Sequence, residues 1–214
     1  MGKVCAMKLR VLVAAATTLV LAGCGSVHPG AAAVVGDTTI SMERADDVAT
    51  VYCKLSVLSA AEGTPIDNAD VRRQAVTDLV VGVVARQMAK DANIDVNPSS
   101  YEITPAQRTE IAQTFPGGEL DQVVQAINES QHTYAIAEQL GARDVDDPDA
   151  ESEQLRDRGV QLIQAELARR DIRFDPRFGI KGDGTQKAAT GSLSVPVKAE
   201  SDQEGLPATQ QCAA

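Results

Sequence analysis

The residues able to do acid–base, nucleophilic or metal chemistry are few in this sequence and lie far apart. One of its two histidines, His28, lies in a run of small residues, and the other, His132, lies in a polar stretch typical of a solvated or edge-packed histidine. No set of His, Cys, Asp and Glu residues has the spacing of a zinc site. No glycine-rich phosphate loop occurs either. We therefore predict no catalytic residue, no metal site and no cofactor site, and expect a protein that is not an enzyme.

An acidic stretch over residues 144–149 contains four aspartates and could suggest a calcium loop. The EF-hand loop, however, carries a glycine at its sixth position and a glutamate at its twelfth. Counted from Asp144, these positions are Asp149 and Leu155. The pattern therefore favours a solvated connector between two helices over a calcium site.

Residues 1–23 have the organisation of an export signal. A basic start precedes a nearly unbroken apolar run over residues 11–22. A run of about a dozen residues is typical of a signal peptide and is too short to cross the ~30 Å core of a bilayer. The sequence leaves both Met1 and Met7 open as the start of translation, because basic residues follow each of them. These basic residues are Lys3, Lys8 and Arg10.

The apolar run ends in Leu21-Ala22-Gly23-Cys24, which resembles the lipobox of bacterial lipoproteins at all four positions. The resemblance implies that the thiol of Cys24 accepts a diacylglyceryl group and that Cys24 becomes the first residue of the mature chain. The alternative is a plain secretory signal with an unrelated cysteine. One acyl chain gives only marginal membrane binding, whereas two or more chains, such as palmitate, give stable anchoring. We expect a lipid anchor on the extracytoplasmic face of the cell membrane.

The composition indicates one acidic, helical domain. About 190 residues follow the signal, which is enough for a single hydrophobic core. The whole chain has 20 basic and 30 acidic residues and a net charge of −10, and about −13 remains after the signal is removed. Such a surface argues against nucleic acid as a partner. The absence of Trp and the scarcity of Phe and Tyr favour helices packed on helices.

Two further cysteines, Cys53 and Cys212, remain in the mature chain beside Cys24. Export would place them in an oxidising compartment, where a pair of thiols tends to form a disulfide. The alternative is two unpaired thiols, one in a helix and one in a loose tail. We predict a bond between Cys53 and Cys212.

Hydrophobic periodicity predicts a mainly α fold of about five helices. Strands are predicted over residues 34–40 and 172–178, and we expect them to pair into a two-stranded element that joins the two ends of the domain. Gly141 is a candidate C-cap of the fourth helix. The helical segments are residues 41–60, 67–91, 104 to about 115, 119–141 and 150–170, with N-cap candidates Ser41, Asp67 or Asn68, and Thr104.

The predicted organisation has four parts. A signal peptide occupies residues 1–23, and a flexible tether occupies residues 24–32. A helical domain covers residues 33–179. Residues 180–214 are rich in Gly, Ser, Thr and Gln and are predicted to form a largely disordered tail.

The two ends of the predicted domain resemble the N-terminal domain of SurA-type periplasmic chaperones, in the lipoprotein form of high-GC Gram-positive bacteria. Residues 33–41, Ala-Val-Val-Gly-Asp-Thr-Thr-Ile-Ser, are similar to the opening strand and helix start of that family, although Val35 stands where Asn is common. Residues 174–179, Phe-Asp-Pro-Arg-Phe-Gly, are similar to its closing strand. Only residues 180–214 follow, too few for a parvulin domain. The resemblance therefore implies a chaperone-like binding domain without isomerase activity.

Two functions follow as expectations. The first is a holdase that binds unfolded or extended exported proteins in an apolar cradle, with Met42 and Met88 as adaptable contacts or, alternatively, as core residues. The second is a non-enzymatic envelope scaffold or accessory subunit that binds one defined partner. An exposed apolar cleft would favour the first function and a fully polar surface the second. The identity of the partner and the oligomeric state stay open.

Overall fold

The computed structural model describes residues 29–182, 184–185 and 206–212. The predicted signal peptide, both candidate start methionines, Cys24, His28 and part of the predicted tail lie outside the described residues. Within the described residues the predicted mainly α fold with a small β element is confirmed. Its elements are β1 (Ala31–Val35), β2 (Thr38–Ser41), α1 (Met42–Ser59), α2 (Asn68–Asp91), α3 (Pro105–Thr114), α4 (Gly118–Asp144), α5 (Ser152–Leu167) and β3 (Ile172–Phe174).

The described β element has three strands, and the prediction of two is wrong. Residues 34–40 form a hairpin that turns at Gly36 and Asp37, where Gly36 has a φ of +56°. A two-residue hairpin turn needs such left-handed backbone, which glycine adopts without strain. β1 is the central strand, so that Val35 is opposite Thr38 on one side and Ile172 on the other. The predicted antiparallel pairing between the two ends of the domain is therefore confirmed, with β1 as the partner of β3.

The closing strand is shorter than predicted. β3 ends at Phe174, and residues 176–178 form a single turn of 3-10 helix. The side chain of Asp175 accepts a hydrogen bond from the backbone N–H of Arg177, which caps this turn. Pro176 has no N–H to donate to a strand neighbour, and this favours the turn over a longer strand.

The helix starts follow the sequence closely. The hydroxyl of Ser41 accepts from the backbone N–H of Arg44 at the start of α1. The carboxylate of Asp67 accepts from the backbone N–H of Ala69 and caps α2. At α3, the predicted N-cap Thr104 forms a reciprocal capping box with Gln107. Each cap satisfies backbone N–H groups that have no partner within the helix.

The core lies between the sheet and a central α2. All five residues of β1 are buried, and β1 packs on α1 and α2. On α2, Val76, Val80 and Val84 are almost fully buried because α1, α4 and α5 all pack on this helix. The valine-rich α2 is therefore the central helix of the described domain.

The backbones of α4 and α5 are in direct contact where the two helices cross. A Cβ atom added to Gly141 would lie 1.8 Å from the carbonyl oxygen of Leu155, and one added to Gly159 would lie 1.7 Å from the carbonyl oxygen of Ala137. The prediction that Gly141 caps the helix is wrong, because α4 continues to Asp144. Gly141 has no side chain because the neighbouring helix leaves no room for one, and not because the helix turns there.

Residues 206–212 are held against the domain at two places. Sγ of Cys53 on α1 and Sγ of Cys212 lie 1.99 Å apart and form the disulfide. The backbone N–H of Cys212 donates to the carbonyl oxygen of Ile66 at 2.8 Å, and Gln211 forms a β-bridge with Asp67. This part of the predicted tail is therefore fixed beside α1 and the start of α2.

Candidate functional site

A cleft of about 180 Å³ lies between α1, α2 and α4. Its position follows from the helix packing, because α4 contacts α5 closely and meets α1 mainly through side chains. Apolar residues from all three helices form part of its wall, and α5 adds one more. These apolar residues are Val48, Leu79, Val81, Ala126, Ala137 and Val160.

Gly82 keeps one end of the cleft open. A Cβ atom at this buried position would lie 3.2 Å from Nη1 of Arg86 and 3.3 Å from Oγ1 of Thr133. These distances are tighter than ordinary van der Waals contact, so a larger residue would displace either side chain. The glycine therefore leaves room for Arg86 and Thr133 to line the cleft.

Two carboxylates line the cleft, and their surroundings differ. Oε2 of Glu129 accepts from Nη2 of Arg44 at 2.7 Å, so an ion pair compensates its charge. Asp78 has no ion-pair partner among the described residues. Its carboxylate is reached by solvent, but surrounding protein raises its pKa by desolvation, and polar contacts from Tyr52 and Gln74 only partly offset this.

Tyr52 lies beside Asp78 on the opposite helix and stays protonated. Desolvation raises the pKa of its phenol, and the negative charges of Asp78 and Glu129 raise it further. A phenol with a raised pKa is a hydrogen-bond donor and a poor base or nucleophile. Tyr52 is therefore a hydrogen-bond donor beside the carboxylate of Asp78.

Tyr134 is an exposed aromatic residue in the lining of the cleft, with 51% of its surface accessible. The guanidinium carbon of Arg156 lies 6.0 Å from the centroid of its ring, at the outer limit of a cation–π contact. Helical periodicity assigns Tyr134 to the inner face of its helix, and the structure corrects this. An exposed ring of this kind is available to a ligand.

His132 belongs to a different surface. Its ring stacks on that of Tyr101, with centroids 4.2 Å apart and an interplanar angle of 22°. Desolvation lowers the pKa of His132, and the charge of Arg86 lowers it further. The ring is half-buried at the edge of α4, as an edge-packed histidine should be, and it does not line the cleft.

The residues singled out by sequence reasoning are not brought together in one site. Cys24 lies outside the described residues, and Cys53 is bonded to Cys212 beside the cleft. Met42 and Met88 are half-buried and pack against the main core, and neither lines this cleft. Among the residues that the structure describes, no group of His, Cys, Asp and Glu could hold a metal ion.

Sequence reasoning missed the cleft residues Tyr52, Asp78 and Tyr134. No local signal marks Asp78, because a residue midway between the buried Val76 and Val80 lies on the exposed side of the helix.

No protein family, curated protein or solved structure matches the chain. In the part of the chain that the structure describes, no helix has the length and apolar character needed to cross a membrane. In the described residues, fold and site together define a helical domain with a small sheet and a mixed apolar and polar cleft between α1, α2 and α4.

Proposed function

We propose that this protein is a lipid-anchored, extracytoplasmic, chaperone-like lipoprotein that binds extended segments of unfolded or exported proteins and has no isomerase activity. The observation that carries the proposal is the cleft between α1, α2 and α4, where the exposed ring of Tyr134 adjoins an apolar wall. A cleft of about 180 Å³ has room for one or two side chains of an extended chain and not for a folded domain. The resemblance of both domain ends to SurA-type chaperones supports the same function.

The chemistry of the cleft supports binding and not turnover. The raised pKa of Tyr52 removes the phenol as a base, and Glu129 is engaged by Arg44. Hydroxyl, carboxylate and aromatic groups on an apolar wall are the usual components of a recognition site.

The aggregation of an unfolded client tests the proposal directly. We expect the mature protein to delay aggregation at stoichiometric ratios, with prolyl isomerase activity at background. Tyr134→Ala should weaken the delay several-fold because it removes the exposed ring from the cleft. Leu58→Ala is the matched control, since Leu58 is 60% exposed but lies outside the cleft. No delay by the unmodified protein with any of several clients would contradict the proposal.

The anchor has its own test. We expect Cys24→Ala to release the protein into the medium or to leave it as uncleaved precursor, because the thiol that accepts the lipid is gone. Cell fractionation and the mass of the N-terminal peptide measure both outcomes. A Cys24→Ala protein that is processed normally and stays membrane-bound would exclude the lipoprotein hypothesis.

A second candidate function is an accessory subunit or envelope scaffold with one defined partner. The scarcity of exposed large hydrophobic residues favours it: among the described residues these are Leu58 and Tyr134, on different helices. Promiscuous chaperones usually present a larger apolar patch. Crosslinking on intact cells followed by co-purification separates the two candidates, because a holdase captures many proteins and an accessory subunit captures one.

A further inference from the structure

We propose that the cleft selects polypeptide segments that present a lysine or arginine beside apolar residues, and that Asp78 binds the cationic group. The inference rests on the proposed function and names the chemistry of the segment that the cleft accepts. It depends on three features of the cleft: an uncompensated carboxylate, an exposed aromatic ring and an apolar wall between helices.

The first feature is the contrast between the two carboxylates. Glu129 is paired with Arg44 from α1, whereas Asp78 has no cation within ion-pair distance among the described residues. The guanidinium of Arg86 reaches back to Gly82, one helical turn from Asp78, but it makes no ion pair with the Asp78 carboxylate. Among the described residues, Asp78 is therefore the carboxylate of the cleft that has no ion-pair partner.

The second feature is the cost of leaving Asp78 in this state. Protein atoms displace part of the hydration of the carboxylate, which disfavours its charged form. A cationic group from a ligand would compensate that charge where water is already partly excluded, so the interaction is stronger than at a flat surface. An acidic ligand group placed beside Asp78 would be repelled by its charge.

The third feature is the surface that would receive the rest of a basic side chain. Lysine and arginine carry apolar stems, which pack on apolar surface while the charged group stays in contact with water or polar atoms. Val48 and Leu79 from facing helices offer that surface. The exposed ring of Tyr134 adds an aromatic face of the kind that attracts cations.

The charged groups of the cleft also predict a pH dependence. The groups that face Asp78 are Tyr52 from α1, Glu129 and Tyr134 from α4, and Arg86 from its own helix. Tyr52 is neutral at these pH values, and Arg44 compensates Glu129. Protonation of Asp78 would remove the uncompensated charge, so the preference for basic segments should weaken as the pH falls into the acidic range.

Fluorescent peptides of one apolar sequence, with Lys, Arg, Gln or Glu at the central position, test the inference by anisotropy titration. With the mature chain we expect Lys and Arg peptides to bind about three- to tenfold more tightly than the Gln peptide, as for a partly screened ion pair. The Glu peptide should bind most weakly. Asp78→Asn should remove the preference for the Lys and Arg peptides over the Gln peptide. Asp95→Asn, at an exposed carboxylate outside the cleft, is the matched control and should behave as the unmodified chain does.

The outcomes separate the two proposals. Equal binding of all four peptides to the unmodified chain would overturn the basic selectivity and leave the proposed function standing. Retention of the preference by Asp78→Asn would overturn the role of Asp78. Failure of every peptide to bind would contradict the proposed function, and the inference with it. Circular dichroism and thermal melting of both variants confirm that each is folded.

Discussion

The two sides of α4 differ in how closely they meet their neighbours. On one side, Gly141 lies against the backbone of α5, and a single added methyl group would overlap the carbonyl oxygen of Leu155. On the other side, Glu129 and Tyr134 lie towards α1 and α2, and the helices stand apart around a cleft. The size of the side chains along one helix therefore decides both where the domain is closed and where it is open.

On the open side, α1 is held by ion pairs and a disulfide, which do not fill the cleft. Arg44 on α1 pairs with Glu129 on α4, and Lys54 pairs with Glu119 at 2.5 Å. The disulfide from Cys53 to Cys212 adds a covalent attachment on the same helix. α1 is thus fixed at the margins of the cleft, which leaves the lining free to bind a ligand.

Disrupting the close contact between α4 and α5 should have the largest effect on stability. Gly159→Ala places a Cβ atom where the carbonyl oxygen of Ala137 lies, so α5 must move and the packing of Ile163 suffers. Overpacking of this severity should cost about 3 kcal/mol, or roughly 6–12 °C in Tm for a domain of this size. Urea unfolding and thermal melting measure it.

A glycine at the start of α4 provides the control for Gly159→Ala in α5. Gly118 has no atom within 4 Å of an added Cβ, so Gly118→Ala should be neutral or slightly stabilising because alanine favours the helix. If Gly159→Ala is no more destabilising than Gly118→Ala, the close contact between α4 and α5 is wrong.

Removing the disulfide on the open side should have the next largest effect on stability. The Cys53–Cys212 bond has a sequence separation of 159, for which loop entropy alone gives about 5 kcal/mol. Measured gains usually fall short of this value, and we expect a loss of about 2–3 kcal/mol in the double variant Cys53→Ala/Cys212→Ala. Reductant should lower the stability of the unmodified chain and leave the double variant unchanged. Free thiols at both positions in protein from an oxidising compartment would exclude the bond.

A substitution in the cleft should have the smallest effect on stability. Desolvation raises the pKa of Asp78 above its unfolded value, so the folded state binds more protons in the window between the two values. Stability therefore falls as the pH rises through that window and stays lower above it. We expect the Tm of Asp78→Asn to equal or slightly exceed that of the unmodified chain at pH 7. The difference in Tm should shrink as the pH falls below the usual pKa range of aspartate.

The opposite result would be informative. A clear loss of stability in Asp78→Asn at neutral pH would show that the carboxylate supports the fold. The inference that Asp78 is available to a ligand would then be refuted. Asp95→Asn serves again as the matched control, since Asp95 is exposed in the loop after α2.

Local signals predicted the elements well and the contacts between them poorly. The caps at Ser41, Asp67 and Thr104 depend on residues within three positions, so the sequence contains the whole interaction. The hairpin at Gly36 also has a local signal, but the short apolar stretch around it reads equally as one strand. Gly141 was misread because a glycine near a predicted helix end looks the same whether it ends the helix or admits a neighbour.

The sequence by itself determined where most of the helices begin and that the two ends of the domain pair, because capping and periodicity act over a few residues. Only the tertiary structure decided that Tyr52, Asp78 and Tyr134 line one cleft, since they lie on three different helices. The physical reason is the close contact of Gly141 and Gly159, which sets the position of α4 and so the space beside it. That space depends on distances between helices, which no spacing along the chain specifies.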